Sequence, residues 1–466
     1  MTVAEIAAAV GGRILGDPLA VVGGAVRTDS REVLPGDVFV AMPGESTDGH
    51  RFVVAASSAG AALIIAEREV DADVPVVVVP SGVVALSDLA REVVARVRAA
   101  GRLRVVAVTG SNGKTTTKNM LRAILDAQGA TVAPRGSFNN EVGAPVSMLG
   151  IDEDTRFLVV EMGADAVGDI AKLVDVARPD VAIVLKVGLA HIGKFGDIAA
   201  TARAKGELVR DLPASAIAVL NRDDALVAPM ASTTAAAVRW FGLAHGSAEE
   251  PDAYLADDVR LTIDGTAFDL LHDGVRRPVR LRILGEHHAL NALAALAAAD
   301  ALGVDLDEAI RAIEGMDRAE RWRMELLTGP DGVVVINDAY NASPDSTAAA
   351  LRTLAELTRG RARAIAVLGE MAELGDRAGE EHDRIGLQVV RLNVDQLVVV
   401  GDGARRIHLA ATQEGSWDGE SVFAADLDDA YDVIRGLLQP GDVVLVKSSN
   451  SAGLRRLGDR LAGVDS

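Results

Sequence analysis

The residues with the most informative chemistry form one glycine-rich run. In order they are Thr109, Gly110, Ser111, Asn112, Gly113, Lys114, Thr115, Thr116 and Thr117. Glycines let a backbone fold closely around phosphate oxygens, the amides at the start of a following helix attract anions, and a lysine adds positive charge. A threonine hydroxyl directly after the lysine can bind Mg²⁺. A plain glycine-rich turn is the alternative, but the strand predicted before the run and the helix predicted after it favour phosphate binding.

The run is shorter than the common phosphate-loop pattern. That pattern places a glycine five residues before the glycine of the Gly-Lys pair, where this chain has Val108. Gly110 lies only three residues before it. We therefore predict a shortened nucleotide-binding loop, with Gly110, Ser111, Asn112, Gly113, Lys114, Thr115 and Thr116 around the phosphates.

Three side chains later in the chain are candidates to bind a metal cation beside those phosphates. Glu161 ends a predicted strand, and ligands bind at the carboxyl ends of strands in open α/β sheets. His191 lies in a glycine-containing loop after the next strand, and Lys205 lies in a later helical stretch. Taken alone, Glu161 can equally be a solvated strand end, His191 a helix cap and Lys205 a surface lysine.

Three further polar residues are candidates for nucleotide contacts. Asn291, on the first turn of a predicted alanine-rich helix, offers the donor and acceptor that an adenine edge requires. Arg323 stands at the entry to the last predicted domain and can bind phosphate, and Asp338 ends a predicted strand. A polar residue at a helix start and a boundary salt bridge are the alternative interpretations.

The composition limits the class of protein. Of the 466 residues, 49% are apolar and 24% charged, which is typical of a globular protein with several domains. The net charge of -20 argues against nucleic acid and anionic membrane surfaces as main partners. The absence of cysteine excludes disulfides, thiolate nucleophiles and cysteine-based zinc sites. With no signal-peptide pattern and no membrane-spanning apolar stretch, we expect a cytoplasmic protein without membrane insertion.

Short apolar strands alternate with helical stretches, which predicts an α/β fold. We expect three domains: a small α/β domain at 1–101, a central P-loop-type domain with a mostly parallel sheet at 102–316, and a Rossmann-like α/β domain at 317–466.

Particular elements follow from the same pattern. We predict strands at 38–41, 104–108, 157–161, 181–185, 216–220, 333–336, 364–368, 397–400 and 443–446, and helices at 86–99, 116–127 and 289–301. A turn-rich region at 245–282 is predicted to be antiparallel. Ser343 as N-cap and Pro344 at the first position predict the start of another helix.

Several further runs carry a family resemblance. They are Thr28-Asp29-Ser30-Arg31, Pro35-Gly36-Asp37-Val38-Phe39, Asp48-Gly49-His50, Phe138-Asn139-Asn140-Glu141, Gly285-Glu286-His287, Arg323-Met324-Glu325, Asp338-Ala339-Tyr340-Asn341 and Leu368-Gly369-Glu370-Met371. In this order, and over nearly the whole chain, the sequence resembles the Mur ligases, the ATP-dependent amide-bond-forming enzymes of bacterial peptidoglycan synthesis. The shortened phosphate loop is typical of that family.

The resemblance implies a role for each segment and candidate residue. Residues 1–101 would bind the UDP end of a substrate, residues 102–316 would bind ATP, and residues 317–466 would complete the ligase. Thr115, Glu161, His191 and a carbamylated Lys205 would hold Mg²⁺. Lys114, Lys205, His191, Arg323 and Asp338 would be catalytic, and Asn291, Arg323 and Asp338 would contact the nucleotide. Ser30, Arg31, Asn139, Asn140, Tyr340 and Asn341 would contact the substrates.

The runs beginning at Asp338 and Leu368 are most similar to one branch of the family. That branch joins D-alanyl-D-alanine to UDP-N-acetylmuramoyl-tripeptide through an acyl phosphate, and we expect a monomer. The alternative is the branch that adds the third amino acid, which usually shows Asp-Tyr-Ala-His at the position of Asp338. A non-catalytic nucleotide-binding scaffold is a further alternative. Lys186, His288 and Asn450 replace residues that are common in relatives, so the contacts at these three positions depart from the family pattern.

Overall fold

The structure is a computed structural model that describes residues 1–44, 47–134, 136–189, 192–244, 252–414, 417 and 419–464. Within these residues the chain forms the predicted α/β fold, which contains three sheets. It divides into two compact units. The first contains Met1–Val108, Gln128–Ala164 and Gly168–Ala182, and the second contains Thr109–Ala127, Asp165–Val167 and Ile183–Ser466.

The helices and strands of the described residues follow in chain order. The first are α1 (Val3–Val10), β1 (Arg13–Leu15), β2 (Val26–Arg27), β3 (Val38–Ala41), α2 (Val53–Ser58), β4 (Leu63–Ala66), β5 (Val76–Val78) and α3 (Gly82–Ala99). Next are β6 (Arg104–Thr109), α4 (Lys114–Asp126), β7 (Thr131–Val132), α5 (Gly143–Met148), β8 (Phe157–Glu161), α6 (Asp169–Ala177), β9 (Val181–Val184), α7 (Ile192–Phe195) and α8 (Ile198–Arg210).

The chain continues with β10 (Ile217–Asn221), β11 (Ala237–Leu243), β12 (Ala253–Thr262), β13 (Gly265–His272), β14 (Val275–Leu281), α9 (Glu286–Ala301) and α10 (Leu306–Glu314). The last elements are β15 (Glu325–Thr328), β16 (Val334–Asn337), α11 (Pro344–Thr358), β17 (Ala364–Leu368), α12 (Ala378–Arg391), β18 (Gln396–Val400), α13 (Arg405–Thr412), β19 (Glu420–Ala424), α14 (Leu427–Leu437), β20 (Val443–Lys447) and α15 (Arg455–Leu461).

A five-stranded sheet in the first unit has the order β1-β5-β4-β3-β2. Its strands are parallel except for the antiparallel pair β1–β5. Every residue of β3 is buried, with Val38 and Val40 in one apolar cluster and Phe39 and Ala41 in another. Because successive side chains of a strand point to opposite faces, a strand covered on both faces is an unbroken apolar run.

A six-stranded sheet in the second unit has the order β15-β16-β20-β17-β18-β19. Only β15 pairs antiparallel with its neighbour, and the other pairs are parallel. In β20, Val443 and Leu445 lie in one apolar cluster and Val444 and Val446 in the other. The carboxyl ends of β16 and β20 therefore lie side by side, and these ends carry Asn337 and Lys447.

The start signals of α11 are confirmed. Its N-cap is Ser343, whose Oγ accepts from the Ser346 amide, and Pro344 is its first residue. The antiparallel region is also confirmed for β12, β13 and β14, although residues 245–251 lie outside the described residues.

Three predicted helix starts were wrong by a few residues. α3 begins at Gly82, directly after its N-cap Ser81, and not at residue 86. α9 begins at Glu286, directly after Gly285 with φ 123°, so Asn291 lies in its second turn and not its first. α4 begins at Lys114, after Gly113 with φ 89°, and not at residue 116. Before α9 and α4 a glycine in a backbone conformation that other residues rarely adopt ends the loop, and polar residues continue directly into the helix. In the described part of the chain, no helix has both the length and the apolar character needed to cross a bilayer.

Candidate active site

The glycine-rich run forms a tight connection between β6 and α4. Gly110 and Gly113 have φ 156° and 89°. A Cβ on Gly110 would lie 2.9 Å from the Leu185 Cβ, and one on Gly113 would lie 2.4 Å from the Asn291 Oδ1. Any side chain at Gly113 would therefore be both strained and obstructed. α4 begins directly after Gly113, and the free amides at the start of a helix favour a bound anion.

Lys114 and Thr115 occupy the first turn of α4. The Lys114 Nζ donates to the Gly110 carbonyl oxygen at 2.8 Å, which closes the loop over its own backbone. Thr115 and Thr116 are each 3% exposed. Lys114 is half-buried, and its hydrogen bond to the Gly110 carbonyl oxygen holds the ammonium at the loop.

Ser111 fixes the loop to residues 186–188 through hydrogen bonds. Its amide donates to the Lys186 carbonyl oxygen at 2.8 Å. Its hydroxyl donates to the Gly188 carbonyl oxygen at 3.1 Å and accepts from the Gly188 amide at 2.8 Å. Asn112 instead faces the C-terminal part of the chain, because its Oδ1 accepts from the Ser343 hydroxyl at 3.3 Å. The phosphate loop and the start of α11 are thus joined within the second unit.

Glu161 lies in the first unit, at the end of β8. It is 1% exposed, and its Oε1 accepts from the Asn139 Nδ2 at 2.7 Å. Its other oxygen, Oε2, is buried and has no hydrogen-bond partner among the described residues. A buried carboxylate oxygen without a partner is destabilising unless it binds a proton donor or a cation, so Glu161 fits a magnesium ligand. The described residues hold no cluster of three or more His, Cys, Asp or Glu side chains suited to a metal.

Lys205 lies on α8 and is 4% exposed. Burial, and then the positive charge of Lys114, lower the pKa of Lys205 to about 7. Near pH 7 the Lys205 amine is therefore neutral in a large fraction of molecules. The neutral amine is the form that reacts with CO₂. His191 lies outside the described residues.

Asp338 and Lys447 form a buried ion pair at the ends of β16 and β20. The Lys447 Nζ lies 2.6 Å from the Asp338 Oδ2 and also donates to the Asn341 carbonyl oxygen at 3.0 Å. The Asp338 Oδ1 accepts from the Met324 amide at 3.0 Å. Sequence reasoning missed Lys447, although a lysine at the end of an otherwise apolar strand was a usable signal.

Arg323 and Tyr340 lie beside this pair. The Arg323 guanidinium is 4.3 Å from the centre of the Tyr340 ring. Arg323 also contributes to the lowered pKa of the His288 imidazole, after burial and His287. Arg323 and Tyr340 thus form a cation–π pair at the entry to the last segment.

Asn291 packs between the phosphate loop and His288. Its Oδ1 lies against Gly113, and its Nδ2 is 3.3 Å from the Nδ1 of His288. The His288 Nε2 is buried without a hydrogen-bond partner among the described residues. The Asn291 side-chain amide, which we predicted to contact adenine, therefore faces the loop backbone and the His288 imidazole.

The predicted substrate residues of the first unit are held by local contacts. Arg31 is exposed and pairs with Asp29, the Nη2 and Oδ2 atoms lying 2.6 Å apart. Asp29 also caps the short helical turn that contains Ser30. The Asn140 Oδ1 accepts from the Gly143 amide at 2.8 Å, so Asn140 shapes the start of α5. Asn139 contacts a predicted metal ligand, because its Nδ2 donates to the Glu161 Oε1.

Comparisons with known proteins show which family the chain resembles. Three family models match the chain: "Mur ligase family, catalytic domain" over 24–105, "Mur ligase middle domain" over 108–299 and "Mur ligase, glutamate ligase domain" over 322–450. The UDP-N-acetylmuramoyl-tripeptide–D-alanyl-D-alanine ligase of Mycobacterium tuberculosis is 41% identical over 100% of this chain and 98% of its own length.

Two solved structures resemble the chain over most of its length. A crystal structure of MurF from Acinetobacter baumannii has a TM-score of 0.88 and 30% identity, and covers 99% of this chain and 98% of its own. The MurF ligase of Thermotoga maritima in complex with ADP has a TM-score of 0.80 and 30% identity, and covers 94% of this chain and 97% of its own.

Proposed function

The chain belongs to the Mur ligase family, and from this premise we propose that it is an ATP-dependent ligase that joins D-alanyl-D-alanine to UDP-N-acetylmuramoyl-tripeptide. The product is the pentapeptide precursor of bacterial peptidoglycan. In this proposal residues 1–101 bind the UDP end of the substrate, residues 102–316 bind ATP, and residues 317–466 complete the site. We further propose that it works as a monomer in the cytoplasm, where its nucleotide substrates are made.

One observation carries the proposal most directly. The phosphate loop is joined to the start of α11 by the contact between Asn112 and Ser343, which lies two residues after the Asp338–Asn341 run. The second unit thus contains both the phosphate loop and the polar residues around the Asp338–Lys447 ion pair. A ligase first phosphorylates the carboxylate of one substrate and then lets the amine of a second substrate attack the acyl phosphate. These two steps require the phosphate loop and the polar residues near Asp338 to lie in one place.

The reaction follows from the chemistry of its substrates. The terminal carboxylate of the tripeptide attacks the γ-phosphorus of ATP, and ADP leaves as the acyl phosphate forms. The amine of D-alanyl-D-alanine then attacks the acyl carbon, inorganic phosphate leaves, and the nitrogen loses a proton. Lys114 and the amides of residues 112–115 stabilise the negative charge that builds on the transferring phosphoryl group. Arg323 supplies further positive charge at the entry to the last segment, where the charge of Lys447 is offset by Asp338.

Residues of the chain also fit a bound cation. Mg²⁺ at this site would neutralise phosphate charge and orient the γ-phosphoryl group. Thr115, the unpartnered Oε2 of Glu161, His191 and a carbamate on Lys205 would hold it. Carbamylation exchanges a repelling ammonium for an anionic oxygen ligand, and the lowered pKa of Lys205 makes the reactive neutral amine available.

Phosphate release separates this function from its alternatives. The protein is given ATP, Mg²⁺ and UDP-N-acetylmuramoyl-tripeptide with D-alanyl-D-alanine, and in parallel the shorter precursor with L-lysine or meso-diaminopimelate, or with D-glutamate and its matched precursor. We expect phosphate release with the dipeptide, and release about a hundredfold slower or more in the Lys114→Ala variant. Preference for a single amino acid would move the chain to another branch, and no release with any acceptor would favour a nucleotide-binding scaffold.

A further inference from the structure

Asp345 reaches from the start of α11 to a backbone segment 156 residues earlier in the chain. Its Oδ2 accepts from the Leu189 amide at 3.0 Å. The contact lies within the second unit, and both residues are half-buried. A charged acceptor with one amide donor in partly dry surroundings makes a strong hydrogen bond.

Gly188 shows that this contact needs close approach. A Cβ on Gly188 would lie 2.4 Å from the Asp345 Oδ2, so any side chain there would displace the carboxylate. The backbone of Gly188 has no left-handed conformation that would itself require glycine. The space that Asp345 occupies is therefore the reason that glycine fits this position.

The same short segment supports the phosphate loop. Gly188 exchanges two hydrogen bonds with the Ser111 hydroxyl, and the Lys186 carbonyl oxygen accepts from the Ser111 amide. The residues at 186–189 thus touch Ser111 on one side and Asp345 on the other. A shift of this segment would move the backbone on which the nucleotide phosphates lie.

We propose that Asp345 is a positioning residue for the nucleotide site. By docking on the Gly188–Leu189 backbone, its carboxylate fixes the segment that supports Ser111, so tight nucleotide binding requires α11 to be in place. The turnover part of this inference rests on the proposed ligase function, but the nucleotide-binding part does not. Asp345 thus acts on nucleotide affinity and takes no part in the chemical step.

A purely structural role is the competing explanation, because an acidic residue in the first turn stabilises any helix through its dipole. Asp307 provides the matched control. It is also the second residue of its helix, α10, follows the N-cap Asp305, and pairs on the surface with Arg277 at 3.1 Å. Asp307→Ala removes the same helix-end charge without touching the phosphate loop.

The test compares Asp345→Ala, Asp345→Asn, Gly188→Ala and Asp307→Ala with the unchanged protein. ADP affinity is measured by calorimetry in magnesium buffer, thermal unfolding gives stability, and phosphate release gives KM for ATP. Asp345→Ala and Gly188→Ala are expected to weaken ADP binding about tenfold or more. Asp345→Asn keeps an oxygen that accepts from Leu189 and should recover most of that affinity, while Asp307→Ala should bind ADP like the unchanged protein.

The outcomes are distinguishable. Equal ADP affinity in Asp345→Ala and Asp307→Ala would overturn the inference, and so would unchanged ADP binding in Gly188→Ala. If Asp345→Ala does not fold, the Asp345→Asn and Gly188→Ala variants decide the question. If the unchanged protein binds ADP but releases no phosphate with any acceptor, the proposed function fails while the affinity comparison still tests Asp345.

Discussion

The ion pair between Lys447 and Asp338 makes a quantitative prediction about stability. The Lys447 side chain is 2% exposed and the Asp338 side chain 14%, with the Nζ and Oδ2 atoms 2.6 Å apart. Lys447→Met fills similar space but removes the charge, so the Asp338 carboxylate stays buried without its cation. Loss of one partner from a buried ion pair destabilises proteins by about 3–5 kcal/mol. Because Asp338 keeps some contact with water, we expect about 3 kcal/mol, a large part of an ordinary protein's stability.

Urea unfolding measured by circular dichroism tests this value. The matched control is Lys172→Met, since Lys172 is 70% exposed and its Nζ lies 3.5 Å from the Asp169 Oδ1. An exposed pair contributes roughly 0–1 kcal/mol, so the control should barely shift the unfolding midpoint. Adding Asp338→Asn to Lys447→Met removes the unpaired charge and should recover part of the loss. Equal midpoints for Lys447→Met and Lys172→Met would refute the reasoning.

Four further predictions concern the nucleotide and metal sites. Lys114→Ala should lower turnover about a hundredfold or more with an unchanged circular dichroism spectrum, and normal turnover in the folded variant would contradict the phosphate-loop assignment. Gly113→Ala places a Cβ 2.4 Å from the Asn291 Oδ1 at φ 89°, so calorimetry should show weaker ADP binding; unchanged binding would refute this loop geometry. Lys205→Arg should be as inactive as Lys205→Ala because arginine forms no comparable carbamate, and acetate should partly restore only the alanine variant. Since the pKa of Lys205 is lowered to about 7, the neutral amine is lost below that pH, and activation by bicarbonate should rise as pH increases through 7; a flat response would oppose carbamylation.

The sequence predicted those features of the fold that depend on local patterns. Buried parallel strands such as β3 and β20 appear as unbroken apolar runs, because both faces are covered. The start of α11 was visible because Ser343 and Pro344 act through contacts within a few residues. The starts of α4 and α9 were less visible, because polar residues there belong to the site and not to an apolar stripe.

Contacts between distant segments could not be predicted in the same way. The pairing of Asp338 with Lys447 depends on β16 and β20 being neighbours, which one sequence does not reveal. Asn139 was predicted to touch substrate, yet its amide holds Glu161, 22 residues later in the chain. The contact of Asp345 with Leu189 crosses 156 residues and leaves no local pattern.

Transfer of labelled oxygen tests the central claim most directly. The terminal carboxylate of UDP-N-acetylmuramoyl-tripeptide is enriched in ¹⁸O and the reaction is run with ATP, Mg²⁺ and D-alanyl-D-alanine. If the carboxylate is activated as an acyl phosphate, one carboxylate oxygen leaves with the phosphoryl group when the dipeptide amine attacks. Mass spectrometry should then find one ¹⁸O atom in the released phosphate and a product heavier than the precursor by one dipeptide unit. Pentapeptide product with unlabelled phosphate, or labelled phosphate without ligated product, would contradict the account.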